Sequence, residues 1–189
     1  MCGRYSLFTE QANEEILKLM RTVREKCKEE MVHGEIFPAN LVPVFREAAG
    51  NAVLELMKWG FPNFYKKGGV IINARAETVM EKPMFREAVF TGRCAIPSTG
   101  FYEWDKEKAK YKFNLPQEDT LYMAGLWNEY DKERRFVILT AAANQSMEEI
   151  HSRMPLVLRK SQIRNWLCNT QKAVKLLNEV PPELVKIKV

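Results

Sequence analysis

The chain begins Met1-Cys2-Gly3-Arg4, and its second residue can do chemistry that no internal cysteine can. Methionine aminopeptidases remove an initiator Met when the next side chain is small, so the processed chain would start with Cys2 and carry a free α-amine beside a free thiol. The amine condenses with an aldehyde to an imine, and the thiol then adds to the same carbon to close a five-membered thiazolidine. An unperturbed α-amine, with a pKa of about 7.7 to 8.0, is roughly a tenth to a fifth neutral at pH 7. The plainer reading is a small, tolerated second residue.

Four further groups combine polar side chains with apolar surroundings. Asn73-Ala74-Arg75-Ala76-Glu77-Thr78 stands where the apolar run Val70 to Ile72 ends, a place for ligand contacts or for a helix cap. In Gly100-Phe101-Tyr102-Glu103-Trp104, strand alternation puts Phe101 and Glu103 on one face. Glu103 is then either a partly desolvated general acid/base or an exposed edge-strand carboxylate. His151, one of two histidines, is followed by Arg153 and by Pro155, which keeps the chain extended. Arg4, Trp59, Arg86 and Trp104 are the residue types of phosphate contact and base stacking, and equally of ordinary core and surface.

The elements that must position these groups follow from periodicity. Thr9 to Met31 reads as one amphipathic helix, with Ile16, Met20, Val23, Cys27 and Met31 at steps of three and four. Leu41 to Arg46 and Val53 to Trp59 flank a Gly50-Asn51 turn and read as a hairpin. Gly69 to Asn73 reads as a short buried strand, and Glu81 to Ala88 as a short helix with Pro83 in its first turn. Arg93 to Pro97, Gly100 to Trp104, Tyr111 to Asn114, Leu121 to Trp127 and Phe136 to Ala142 are successive strands with short polar connections, which favours antiparallel pairing. Ser146 to Ile150, Ser161 to Leu167 and Gln171 to Val180 read as helices, the last ended by Pro181-Pro182. The expected class is α+β, one domain over residues 1–189, with a curved, barrel-like, mostly antiparallel β core and peripheral helices.

Composition narrows the partners. With 46% hydrophobic and 28% charged residues the chain has the balance of a soluble globular protein, and no apolar run nears the roughly 18 residues of a membrane helix. The first residues lack a secretory signal, so a cytoplasmic location, nucleoid-associated in a bacterium, is expected, with Cys2, Cys27, Cys94 and Cys168 as free thiols. No Cys-x-x-Cys pair occurs and the only other histidine is His33, which argues against a zinc site. From His151 to Val189, eight Lys or Arg face two Glu, within a formal net charge of +5. That suits a polyanion, or a solvated lysine-rich face.

Taken in order, several blocks resemble the SRAP family, the SOS response-associated peptidase or abasic-site-shielding proteins. They are Met1-Cys2-Gly3-Arg4-Tyr5, Pro38 and Pro43, Trp59-Gly60, Asn73-Ala74-Arg75-Ala76-Glu77, Phe85-Arg86-Glu87-Ala88, Arg93-Cys94-Ala95-Ile96-Pro97, Gly100-Phe101-Tyr102-Glu103-Trp104, Ala124-Gly125-Leu126-Trp127 and His151-Ser152-Arg153-Met154-Pro155. The resemblance implies a channel for single-stranded DNA at an abasic site, with no metal or organic cofactor. It implies Cys2 as crosslinking nucleophile, Asn73 positioning its amine, Glu103 as acid/base and His151 assisting opening of the deoxyribose. Arg4, Arg75 and Arg153 would contact phosphates, with Arg86 and Trp59 as further DNA contacts, while Pro38, Trp104 and Thr140 would line the DNA path. A monomer with no membrane partner is expected. An N-terminal-nucleophile peptidase and a noncovalent nucleic-acid-binding module are the alternatives.

Overall fold

Closure removes the open edges of the central strands. The computed structural model describes residues 2–7, 14, 17–18, 21–23, 31–64 and 68–189. Its strands there are β1 (Tyr5–Leu7), β2 (Gly34–Ile36), β3 (Leu41–Ala48), β4 (Asn51–Trp59), β5 (Phe61–Pro62), β6 (Val70–Ile71), β7 (Asn73–Arg75), β8 (Arg93–Ser98), β9 (Gly100–Trp104), β10 (Lys110–Asn114), β11 (Leu121–Tyr130), β12 (Glu133–Ala142), β13 (Arg153–Pro155), β14 (Val157–Leu158) and β15 (Val185–Lys188). β12, β4, β3, β8 and β11 pair in that order and β11 pairs back to β12, so the five form a closed barrel. All but the β12–β4 contact are antiparallel. β7 joins β12 in parallel, and β13 joins it antiparallel.

A second, antiparallel sheet has the order β15-β10-β9-β1-β2. One apolar cluster joins it to the barrel through Tyr5, Phe101 and Phe113 on one side and Trp59, Met57 and Phe136 on the other. Another packs the helices Pro83–Thr91, Ile163–Cys168 and Thr170–Leu176 on the barrel through Val89, Trp166, Leu176 and Leu126. The α+β class and the curved, mostly antiparallel core are as expected.

Local chemistry sets the entry to β9. Gly100 has φ +135°, and a Cβ there would lie 2.2 Å from the Asn114 side-chain amide and 3.0 Å from the Phe113 carbonyl of β10. Only glycine lets β9 start this close to its neighbour, and β9 carries Glu103. The β3–β4 hairpin turns at Ala49-Gly50, both with positive φ, with Ala48 paired to Asn51.

Several elements differ from the expectation. Residues 145–150 form turns instead of a helix, organised by Asn144, whose Oδ1 accepts from Ser146 N and Oγ. The Gly69 to Asn73 strand is two half-buried strands, β6 and β7, and the helix expected to Val180 ends at Leu176. β15 forms beyond Pro181-Pro182 because β10 supplies its ladder. Of the helix expected from Thr9 to Met31, residues 14, 17–18 and 21–23 are helical, while Ile16, Met20 and Cys27 lie outside the described residues.

Candidate functional site

Residues 2–4 run into β1, which lies between β2 and β9, so the start of the chain is laid along the strand of Glu103. Tyr102 N donates to the Arg4 carbonyl at 2.9 Å, fixing that alignment. Cys2 is 1% exposed, and its thiol points at the Arg4 carbonyl, 3.7 Å away. Burial pushes the thiol pKa well up, and the negative charge of Glu103 pushes it the same way. At neutral pH Cys2 is therefore a thiol, not a thiolate.

Asn73 reaches Cys2 from the other sheet. β7 runs parallel to β12 with Asn73 opposite Ile138, and Asn73 Nδ2 donates to the Cys2 carbonyl at 3.0 Å. Its buried Oδ1 accepts no hydrogen bond among the described residues. Glu103 is 5% exposed within the inner strand β9, which overturns the exposed edge-strand alternative. Cys2, Asn73 and Glu103, 101 positions apart in sequence at the extremes, thus meet where the sheet adjoins the barrel.

His151 and Arg153 form a second group. His151 Nδ1 lies 2.9 Å from the Arg153 backbone N–H and 3.1 Å from the Arg153 carbonyl oxygen, so the backbone of Arg153 fixes the position of the ring. The Arg153 guanidinium is bidentate on Glu77, at 2.5 and 2.8 Å, and also donates to the Thr140 carbonyl and, at 3.2 Å, to Thr140 Oγ1. The hydrogen bonds from Arg153 lower the pKa of Glu77 from its ordinary carboxylate value. Glu77 also accepts from Ala142 N at 3.1 Å, so one carboxylate ties β12 to the approach of β13. The sequence places Glu77 in a polar segment suited to ligand contacts or a helix cap but does not pair it with Arg153, because nothing local links it to an arginine 76 positions away. Arg153 is accordingly an internally neutralised cation, and Thr140 is buried behind it.

The other expected contacts separate into covered and open. Arg4 lies over Phe37, 4.3 Å from the ring centroid, and over Trp104, 5.0 Å, with Nη1 3.4 Å from Glu35. Glu35 also pairs with Lys110, which sits 4.0 Å above the Tyr102 ring. Half-buried Pro38 shares the turn of exposed Phe37. Glu35, Phe37 and Lys110 became recognisable only through the β1–β2 and β9–β10 registers. Arg75 and Arg86 are exposed and pair with no carboxylate among the described residues. Trp59 is fully buried, stacked on Phe136 and donating from Nε1 to the Ile72 carbonyl at 3.0 Å, so it has no face for a base.

A chain with Cys2 seated between an asparagine and a glutamate from two sheets has relatives. The model of the SOS response associated peptidase family, SRAP, matches residues 1–189. The chain belongs to the SRAP family. Among similar SRAP proteins, the abasic site processing protein YoqW of Bacillus subtilis (strain 168) is 32% identical over 187 residues, covering 88% of this chain and 80% of its own. The abasic site processing protein YedK of Escherichia coli (strain K12) is 31% identical over 179 residues, covering 88% and 79%. The abasic site processing protein HMCES of Xenopus tropicalis is 28% identical, covering 68% of this chain and 50% of its own. The SRAP fold recurs in crystal structures from Bacteroides thetaiotaomicron (TM-score 0.76, 22% identity, 100% of this chain and 92% of that one) and Bordetella bronchiseptica (0.77, 21%, 100% and 99%).

Proposed function

We propose that the processed protein binds single-stranded DNA at abasic sites and joins itself to the lesion through Cys2. The observation that carries this reading is the Asn73 Nδ2 bond to the Cys2 carbonyl, which holds the first residue of a processed chain beside a buried carboxylate. The names of the relatives, abasic site processing proteins, supply the substrate class.

The chemistry balances without a cofactor. The Cys2 amine adds to the C1′ aldehyde of the ring-opened sugar and expels water as the imine forms. The thiol then adds across the C=N bond, its sulfur to carbon and its proton to nitrogen, giving a thiazolidine. Protein and DNA join with the loss of one water in total. Glu103 carries protons between carbinolamine, imine and leaving water, and His151 assists opening of the sugar ring. Asn73 positions Cys2, giving the attack its proximity. The raised thiol pKa favours this amine-first route over thiolate attack on a peptide carbonyl. Arg75 and Arg86 contact phosphates. Arg4 with Trp104 and Pro38 forms one wall of the DNA path, and Arg153, Thr140 and Trp59 support the site from behind.

The test is incubation with a single strand bearing one abasic site, read on a denaturing gel and by intact mass. A heat-stable adduct weighing protein plus oligonucleotide less one water is expected, and Cys2→Ser should form none. A noncovalent binder would be indifferent to Cys2→Ser. Protein with Cys2 verified as its N-terminus that yields no adduct overturns the reading.

A further inference from the structure

A groove of about 670 Å³ opens beside the site, between the strand Asn73–Arg75, the 3-10 turn Ala76–Thr78 and the first turn of the helix Pro83–Thr91. Beyond Asn73 and Arg75 at its mouth, the chemistry above assigns its lining no role. Half-buried Ile71, Met84 and Phe85 give it apolar walls, and its charged lining groups are the exposed Arg75, Lys82 and Glu81. Asn73 lines it too, and the same Asn73 holds the Cys2 carbonyl at 3.0 Å, so groove and site are continuous.

We propose that this groove seats the nucleobase next to the lesion on the bound strand, and that Glu81 favours a base with an exocyclic amino group. The proposal rests on the reading of the site as an abasic-site binder. An abasic nucleotide has no base of its own to grip, so affinity beyond the backbone must come from its neighbours. A strand attached at Cys2 leads its next nucleotide past Asn73 into the groove. A base needs apolar walls for its faces, and the Met84 sulfur and the Phe85 ring are suitable neighbours for a π-system. Its phosphate needs cations, and neither Arg75 nor Lys82 pairs with a carboxylate among the described residues. Glu81 only accepts hydrogen bonds, so it matches the amino groups of cytosine, adenine or guanine. The thymine edge offers one N–H between two carbonyls that repel a carboxylate.

The experiment measures equilibrium binding of the unmodified protein to single strands carrying a tetrahydrofuran abasic analogue, which has no aldehyde and forms no adduct. Removing the base on one side of the lesion should weaken binding about fivefold or more, and removing the other should cost less. Cytosine at the sensitive position should bind a fewfold tighter than thymine. Met84→Ala should shrink the flank effect. Glu81→Gln, a change at an exposed position that keeps the fold, should erase the cytosine preference while leaving the rest. Equal affinity whichever flanking base is absent, or a flank dependence untouched by both variants, overturns the proposal. The functional reading is tested separately, by adduct formation with true abasic DNA: adducts without flank dependence remove only the groove.

Discussion

Burial of Cys2 gives this residue an inverted reactivity profile. A cysteine poised as a nucleophile has a depressed pKa, whereas here burial and Glu103 hold the thiol protonated. Cys94 is buried with its pKa also raised, while Cys168 is exposed. Among the three cysteines of the described residues, iodoacetamide at neutral pH should therefore label Cys168 before Cys2 and Cys94, which stay largely unmodified in the native protein and react after denaturation. Peptide mapping by mass spectrometry checks this, and fast native alkylation of Cys2 would contradict the buried thiol. Glu77 supplies a pH test. Its folded pKa is depressed by Arg153, so its contribution to stability is fully present above the unfolded carboxylate value of about 4.3 and is lost as pH falls through the lower folded value. Glu77→Gln should be less stable than the parent at neutral pH, and the gap should close in acid, as urea midpoints at about pH 7 and about pH 3 would show. Residue chemistry was the most legible part of the sequence. Cys2, Asn73 and Glu103 stand out by type and setting, but Trp59 stands out equally and proves to be core, because its face was fixed by packing on Phe136.

Among elements, two helices depend on one arginine. Arg93 opens β8 at 7% exposure, and its guanidinium donates to the carbonyls of Val89, Phe90, Trp166 and Leu167, at the C-terminal ends of the helices Pro83–Thr91 and Ile163–Cys168. Those carbonyls have no helical partners of their own, and a fork of five donors satisfies both ends where one ammonium could not. Arg93→Lys should cost about 2 to 4 kcal/mol, read as a lower urea midpoint with little change in slope, and leave per-molecule crosslinking by the folded fraction intact. The strands of the middle of the chain were readable to within a few residues because their alternation and turns are local. The 145–150 turns and β15 were not. An Asn144 side chain decides the first, and the second exists only as the partner of β10.

At the scale of the molecule, topology decides which cations face solvent. Arg153, Lys186 and Arg4 are all engaged with carboxylates, whereas Arg75 and Arg86 are open. A count of charge along the chain could not separate them, since pairing depends on which sheets meet. Single-strand affinity should fall with salt, and Arg75→Ala should reduce the slope of log K against log salt by about 0.7, one phosphate contact. Arg153→Ala should leave the slope nearly unchanged while destabilising the His151 region. A loss of slope in Arg153→Ala and none in Arg75→Ala would mean that DNA displaces Glu77 and that the path runs over β13.

Asn73 grips the carbonyl of Cys2, not its nitrogen, and that choice of atom separates assembly from activation. The carbonyl belongs to the Cys2–Gly3 peptide and is the same before and after Met1 is cut away. Chains that keep Met1 should thus fold with the seat already formed and recognise the lesion, yet lack the amine that closes on it. On the proposed function, such molecules in a mixed population would act as dominant competitors, occupying lesions and releasing them intact. Titrating Met1-retaining protein into a fixed amount of processed protein at limiting abasic DNA should lower the initial rate of adduct formation in proportion to lesion occupancy, without lowering the final yield. The extent of N-terminal processing would then act as a dose control on irreversible capture, set by the cell's aminopeptidase and not by the amount of protein made.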